Sequence, residues 1–251
     1  MRALVRIWRL ERKNFKGSLI PGGFGFMLVP AAIPVYAGIL FLSPNSHAWL
    51  FITAVVGFGT LGLIDDIFGT REAGGFGGHF GLLKKGKVST GLLKAVLGGI
   101  MSLVLGGIIA NFRPAETFLN GIVISLSANL LNLLDLRPGR AVSCFWVGLL
   151  ATVAVKGGSP SLRHDLIPII VPAVWLTMLD RSAKVMLGDA GSNLLGAVLG
   201  LTIVYSSSLP VKLVLVASMI GVHIFAERYS ISKLIESNRI LRRVDRLLGE
   251  R

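Results

Sequence analysis

The chain has 251 residues, 53% of them hydrophobic and only 16% charged, with a net charge of +13 and a mean hydropathy of +0.71. This is too apolar for a soluble domain of its size and places it among integral membrane proteins. Lys and Arg gather between apolar runs instead of forming one basic face, which argues against nucleic acid and for anionic lipid headgroups and phosphorylated substrates. The lone cysteine, Cys144, excludes an internal disulfide and a thiolate metal cluster and reads as a buried, inert thiol.

The first segment, 1–16, carries Arg2, Arg6, Arg9, Arg12, Lys13 and Lys16. It lacks a small-residue cleavage site after a short apolar core, so it reads as a basic interfacial segment, helical through Leu10, and not as a cleaved signal. A bilayer core takes roughly 20 apolar residues per helix, and about eight such runs follow. They lie near 24–43, 48–64, 91–111, 119–134, 141–156, 166–180, 188–207 and 211–226. Proline pairs at 30 and 34 and at 168 and 172 are expected as tolerated kinks near helix entries. The tail 227–251 alternates Leu234, Leu241, Val244 and Leu248 with Lys233, Arg239, Arg242, Arg243 and Arg246. That pattern predicts one amphipathic basic helix on a membrane or protein surface. The whole chain, 1–251, reads as a single all-α membrane domain, a polytopic bundle without internal repeats. The termini and the 65–94 connection hold most of the Lys and Arg. An even span count with this asymmetry predicts that both termini and that connection are cytosolic, in a cytoplasmic (inner) membrane.

Carboxylates at the ends of membrane helices are costly and call for a reason. Asp65 and Asp66 close the second run, and as helix neighbours they point about 100° apart, which suits two roles better than joint chelation of one ion. Asn129, Asn132 and Asp135 recur three apart at the end of the fourth run and line one stripe with amide and carboxylate groups. Gly188-Asp189-Ala190-Gly191-Ser192-Asn193 opens the seventh run. Small residues there leave backbone N–H donors open to a phosphate, and Asp189 can hold Mg²⁺ through oxygen. All three clusters fall on the predicted cytosolic side, as do His79, Lys84, Lys85 and Lys87. Carboxylates, a metal and basic groups together describe a site for phosphoryl transfer. Gly57-Phe58-Gly59-Thr60-Leu61-Gly62 matches a dinucleotide fingerprint by letter but sits inside an apolar run without a βαβ unit, so it reads as helix packing. His47 and His164, expected on the outer side, and His223, late in the eighth run, read as surface or packing residues.

These residues together resemble the polyprenyl-phosphate N-acetylhexosamine-1-phosphate transferase superfamily (glycosyltransferase family 4), which includes phospho-N-acetylmuramoyl-pentapeptide transferase. The resemblance rests on Lys16-Gly17-Ser18-Leu19-Ile20-Pro21-Gly22-Gly23, Asp65-Asp66, Asn129-x-x-Asn132-x-x-Asp135 and Gly188-Asp189-Ala190-Gly191-Ser192, in that order over residues 13–195. It implies transfer of a sugar-1-phosphate from a UDP-sugar to polyprenyl (undecaprenyl) phosphate, yielding UMP and a lipid-linked diphosphate sugar for cell-envelope synthesis, peptidoglycan being the best-known case. It implies Mg²⁺, or Mn²⁺ in its place, held by Asp189 with Asp66. It implies catalytic roles for Asp65, Asp66 and Asp189, and substrate contacts from Asn129, Asn132, Asp135, Lys84, Lys87 and Ser192. Family members carry about ten or eleven spans. Here Leu136-Arg137-Pro138-Gly139-Arg140 replaces a glycine after the family's Asp, and the family's histidine-rich nucleotide loop is reduced to His223-Ile224-Phe225-Ala226-Glu227. Those departures keep open a second reading, a non-catalytic polyprenyl-phosphate-binding or partner subunit, while polar residues within the spans motivate a weaker third, a transporter, against which the lack of repeats counts. Gly196-x-x-x-Gly200, Gly98-Gly99 and Gly106-Gly107 would allow either a homodimer or close contacts within one chain.

Overall fold

The computed structural model describes residues 10–14, 16–44, 46–69, 89–156 and 160–249. Each of the eight apolar runs becomes a helix: α1 (Leu28–Leu42), α2 (Ala48–Phe68), α3 (Thr90–Ile109), α4 (Pro114–Leu134), α5 (Arg140–Lys156), α6 (Pro160–Arg181), α7 (Gly188–Ser206) and α8 (Leu209–Arg228). Local chemistry sets several ends. The Ser89 side chain accepts from the Leu92 amide at the start of α3, and prolines stand in the first turns of α4 and α8, where the missing N–H costs nothing. Pro34 lies inside α1, and Pro168 and Pro172 inside α6.

Five stretches are long and apolar enough to cross a membrane: Phe24–Leu42, Ala48–Phe68, Thr90–Ile109, Pro114–Leu134 and Leu209–Arg228. The α5 segment is a shorter apolar helix, and α6 carries charged residues at both ends. The seventh run, α7, differs in kind. It is buried along almost its whole length, lying against α2, α4 and α5. Neighbouring helices cover α7 in place of solvent or lipid, so it can carry small and polar residues that an outward-facing helix could not. Outward faces elsewhere are apolar, with Phe41, Val147, Leu150 and Val214 all exposed.

Small residues set the close approach of α7 to its neighbours. A Cβ on Gly196 would stand 2.4 Å from the Ser127 carbonyl oxygen, and one on Gly200 2.7 Å from Ile124 Cα. The Gly196-x-x-x-Gly200 stripe therefore serves the α4–α7 contact inside one chain. Likewise a Cβ on Gly62 would collide with the Asp189 backbone and one on Gly59 with Val29 and Leu194, so the fingerprint-like glycines of α2 are packing positions.

Two expected segments take other forms. Residues 1–9 and 15 lie outside the described residues, and Glu11–Lys13 is a strand paired antiparallel with Leu19–Pro21; Leu10 is buried with Leu63 and Ala190. The tail is two short helices, α9 (Ile231–Ser237) and α10 (Arg239–Leu248). Asn238 between them is extended, and its side chain accepts from the amides of Ile240 and Leu241. A side chain that competes this well for backbone donors ends one helix and starts the next.

Candidate active site

Gly23 (φ 61°) and Gly188 (φ 72°) adopt the left-handed conformation, open to glycine at little cost, and bring two distant segments together. The Phe24 and Gly25 amides donate to the carbonyls of Met186 and Leu187, and the Met186 amide donates to Pro21. This short ladder fastens the Pro21-Gly22-Gly23 turn to the start of α7. A Cβ on Gly25 would stand 2.2 Å from Gly191 Cα, so the second contact also requires glycine.

The end of α2 meets the same point. Asp66 reaches the N-terminus of α7, where its Oδ1 accepts from the Asp189 amide at 3.0 Å and its Oδ2 from the Ala190 amide at 2.9 Å. A carboxylate across two unpaired amides at a helix N-terminus is a charged cap delivered from another helix. The expected phosphate cradle is thus occupied in part by the protein's own anion. Arg12 adds a hydrogen bond from Nη2 to the Asp66 carbonyl, 3.1 Å.

Asp65 points elsewhere, as adjacent helical positions require. Its Oδ1 accepts from Thr90 Oγ1 at 2.6 Å, and its Oδ2 lies 2.7 Å from Lys94 Nζ. The Lys94 ammonium also contacts Asp189 Oδ2, and the Asp65 and Asp189 carboxyls themselves lie within hydrogen-bonding reach of each other. One cation therefore holds two carboxylates of different helices. Lys94, in the second turn of α3, was not among the expected site residues. A lysine beside the apolar run that begins at Ala95 is the signal that marks it.

Asp135 ends α4 and accepts from the Gly188 amide. Burial, then the neighbouring carboxylates of Asp180, Asp189 and Asp66, hold its carboxyl well above the usual carboxylate range, while the Gly188 bond works in the other direction. Asn132 joins through its Oδ1, 3.1 Å from Ser192 Oγ; that hydroxyl is also 2.9 Å from the Gly188 carbonyl. Asn193 donates to the Asp189 carbonyl at 2.7 Å. Asn129 is exposed on α4. His79, Lys84, Lys85 and Lys87 lie outside the described residues.

The turn after Asp135 is fixed from behind. Arg140 donates from Nε and Nη2 to the two carboxylate oxygens of Asp245, at 2.5 and 3.0 Å, and from Nη1 to Ser232. The Gly139 amide donates to Asp180 Oδ2 at 2.8 Å. Arg137 also reaches Glu236 at 3.4 Å, so Arg137 and Arg140, in the turn where the resemblance expects a glycine, connect the site to the C-terminal helices.

Whether these residues suit Mg²⁺ turns on their donor set. Asp65 and Asp189 supply hard oxygens that already share one cation, and Mg²⁺ commonly takes one or two protein carboxylates and completes its shell with water and substrate phosphate. Among the described residues no group of three His, Cys, Asp or Glu side chains is placed to hold a metal ion. Asp66, expected as a ligand, has each oxygen engaged by a backbone amide, so Asp65 is the better placed partner for Asp189. No family model matches the chain, and no curated protein matches it significantly.

Proposed function

We propose that this protein transfers a sugar-1-phosphate from a UDP-sugar to a polyprenyl phosphate at the cytosolic face of the inner membrane. The observation that carries the reading is the meeting of Asp65, Asp66, Asp135 and Asp189, from three helix ends, around Lys94 and the N-terminus of α7. Such clustering is expensive in an apolar bundle and is characteristic of sites that handle phosphate and metal. Mg²⁺ held by Asp189 and Asp65 would neutralise a diphosphate and polarise its P–O bonds. The residues of the chain divide the remaining work. Lys94 keeps the two carboxylates together, Asp66 and Gly188 shape the entrance of α7, and Asn132 and Ser192 present an amide and a hydroxyl beside it. The lipid phosphate is largely ionised near neutral pH, so no strong base is required of Asp65.

The test is release of UMP by the purified chain from a panel of UDP-sugars with polyprenyl phosphate and Mg²⁺, with mass spectrometry of the lipid product. Asp189→Asn is expected to abolish turnover; full activity in that variant would remove the mechanism. The internal pairing of Lys94 with both carboxylates favours one alternative, a polyprenyl-phosphate-binding subunit whose anionic pair is held by the protein's own cation in place of a metal. Lipid binding without turnover across the panel would select it.

A further inference from the structure

A second polar group lies at the other end of the bundle. Asp165 and Asp180 belong to the same helix, α6, and stand about 22 Å apart along it at 1.5 Å per residue. Asp180 faces the Asp135 side, so Asp165 is remote from the carboxylates already described.

Asp165 is 1% exposed, yet among the described residues neither of its carboxylate oxygens has a hydrogen-bond partner. Three hydroxyls of the same end, Ser46 Oγ before α2, Thr117 Oγ1 near the start of α4 and Ser206 Oγ at the end of α7, are also buried and, among the described residues, without a partner. His47 and Tyr205, the chain neighbours of Ser46 and Ser206, both interact electrostatically with the carboxylate. Tyr36, fully buried, donates from its hydroxyl to the Asp165 backbone carbonyl at 3.0 Å. The His47 ring lies 5.0 Å from that of Tyr205. His47, His164, Tyr36 and Tyr205 all interact electrostatically with Asp165. The histidines are exposed, at the rim.

A buried carboxylate with four free lone pairs is costly unless a positive charge or several donors meet it. Here the nearby groups left without partners are oxygens, which is the donor set of a hard cation. The charge balance selects its valence: one carboxylate neutralises one positive charge, and a divalent ion would leave a net charge in a region of low dielectric. We propose that Asp165, with the Ser46 and Ser206 hydroxyls, forms a binding site for a monovalent hard cation of the sodium class, separate from the phosphate-handling end of the bundle.

The experiment is thermal unfolding of the full chain in lipid nanodiscs with a chelator present, titrating NaCl against choline chloride at constant ionic strength and constant pH. Sodium is expected to raise the unfolding temperature saturably. Asp165→Asn should move the half-saturating concentration up by about tenfold or more, while Asp189→Asn leaves it unchanged. Should Asp165→Asn fail to fold, Ser206→Ala must still raise the midpoint. Choline acting as well as sodium, a midpoint unmoved in Asp165→Asn or Ser206→Ala, a response lost in Asp189→Asn but kept in Asp165→Asn, or, with the chelator left out, Mg²⁺ displacing sodium would each overturn the assignment.

Discussion

Lys94 of α3 lies 2.7 Å from the Asp65 carboxylate of α2 and contacts Asp189 of α7 with the same ammonium group, so one side chain ties three helices at the candidate site. All three groups are mostly shielded, their side chains 15–29% exposed. Removing the cation leaves two carboxylates facing each other in low dielectric, a loss of about 3 kcal/mol for a buried pair broken on one side. Lys94→Met is therefore expected to lower the unfolding temperature in a chelator. Mg²⁺ should recover more stability in this variant than in the parent chain, because the metal then has no internal competitor. Unfolding curves with and without Mg²⁺ for both proteins test this, and equal metal responses would mean that the lysine and the metal do not share a place.

Gly188 combines a left-handed backbone with contact on two sides: a Cβ there would stand 2.6 Å from Gly23 Cα and 2.8 Å from Asp66 Oδ2. Gly188→Ala should displace the Asp66 cap, cost at least about 2 kcal/mol through strain and overpacking, and abolish the proposed transferase activity. Gly99→Ala is the control. No atom lies within 4 Å of that new methyl group, and alanine is the better helix former by up to about 1 kcal/mol. Stability of the two variants should move in opposite directions.

Asp135 predicts a pH dependence in metal-free buffer. Its carboxyl is raised in the folded chain by burial and by Asp180, Asp189 and Asp66, so the folded state holds this proton more tightly than the unfolded state does. Its contribution is fully present below the ordinary carboxylate range and is lost as pH rises through the elevated folded value. Asp135→Asn should flatten that part of the stability profile and raise stability at neutral pH, while lowering turnover. A profile with the parent's slope would place the titration on another group.

The C-terminal helices should matter to the site although they carry none of its carboxylates. Arg140 is 4% exposed and is paired with Asp245 through two hydrogen bonds. Asp245→Ala would leave a buried guanidinium without its carboxylate and cost about 3 kcal/mol. The loosened 136–140 turn should then weaken substrate binding, seen as a raised KM with a smaller change in kcat. Asp245→Glu, able to rebuild part of the pair, should recover part of both losses.

The apolar runs were sufficient to locate the eight long helices of the described residues, because a run of apolar residues near the length of a bilayer core has few other stable forms. The same logic marked Asp65, Asp66, Asp135 and Asp189 as residues needing an explanation, and adjacency on a helix foretold that Asp65 and Asp66 would diverge. What each does was decided by tertiary contact. Asp66 became a cap because the Gly23 and Gly188 turns bring the start of α7 against the end of α2, and Asp65 met Asp189 because Lys94 arrives from a third helix. The burial of α7, the inward use of the Gly196 stripe and the break of the tail at Asn238 belong to the same class. Each depends on which surfaces are covered and which backbone donors find partners, and those are properties of elements far apart in the chain, which a local pattern does not encode.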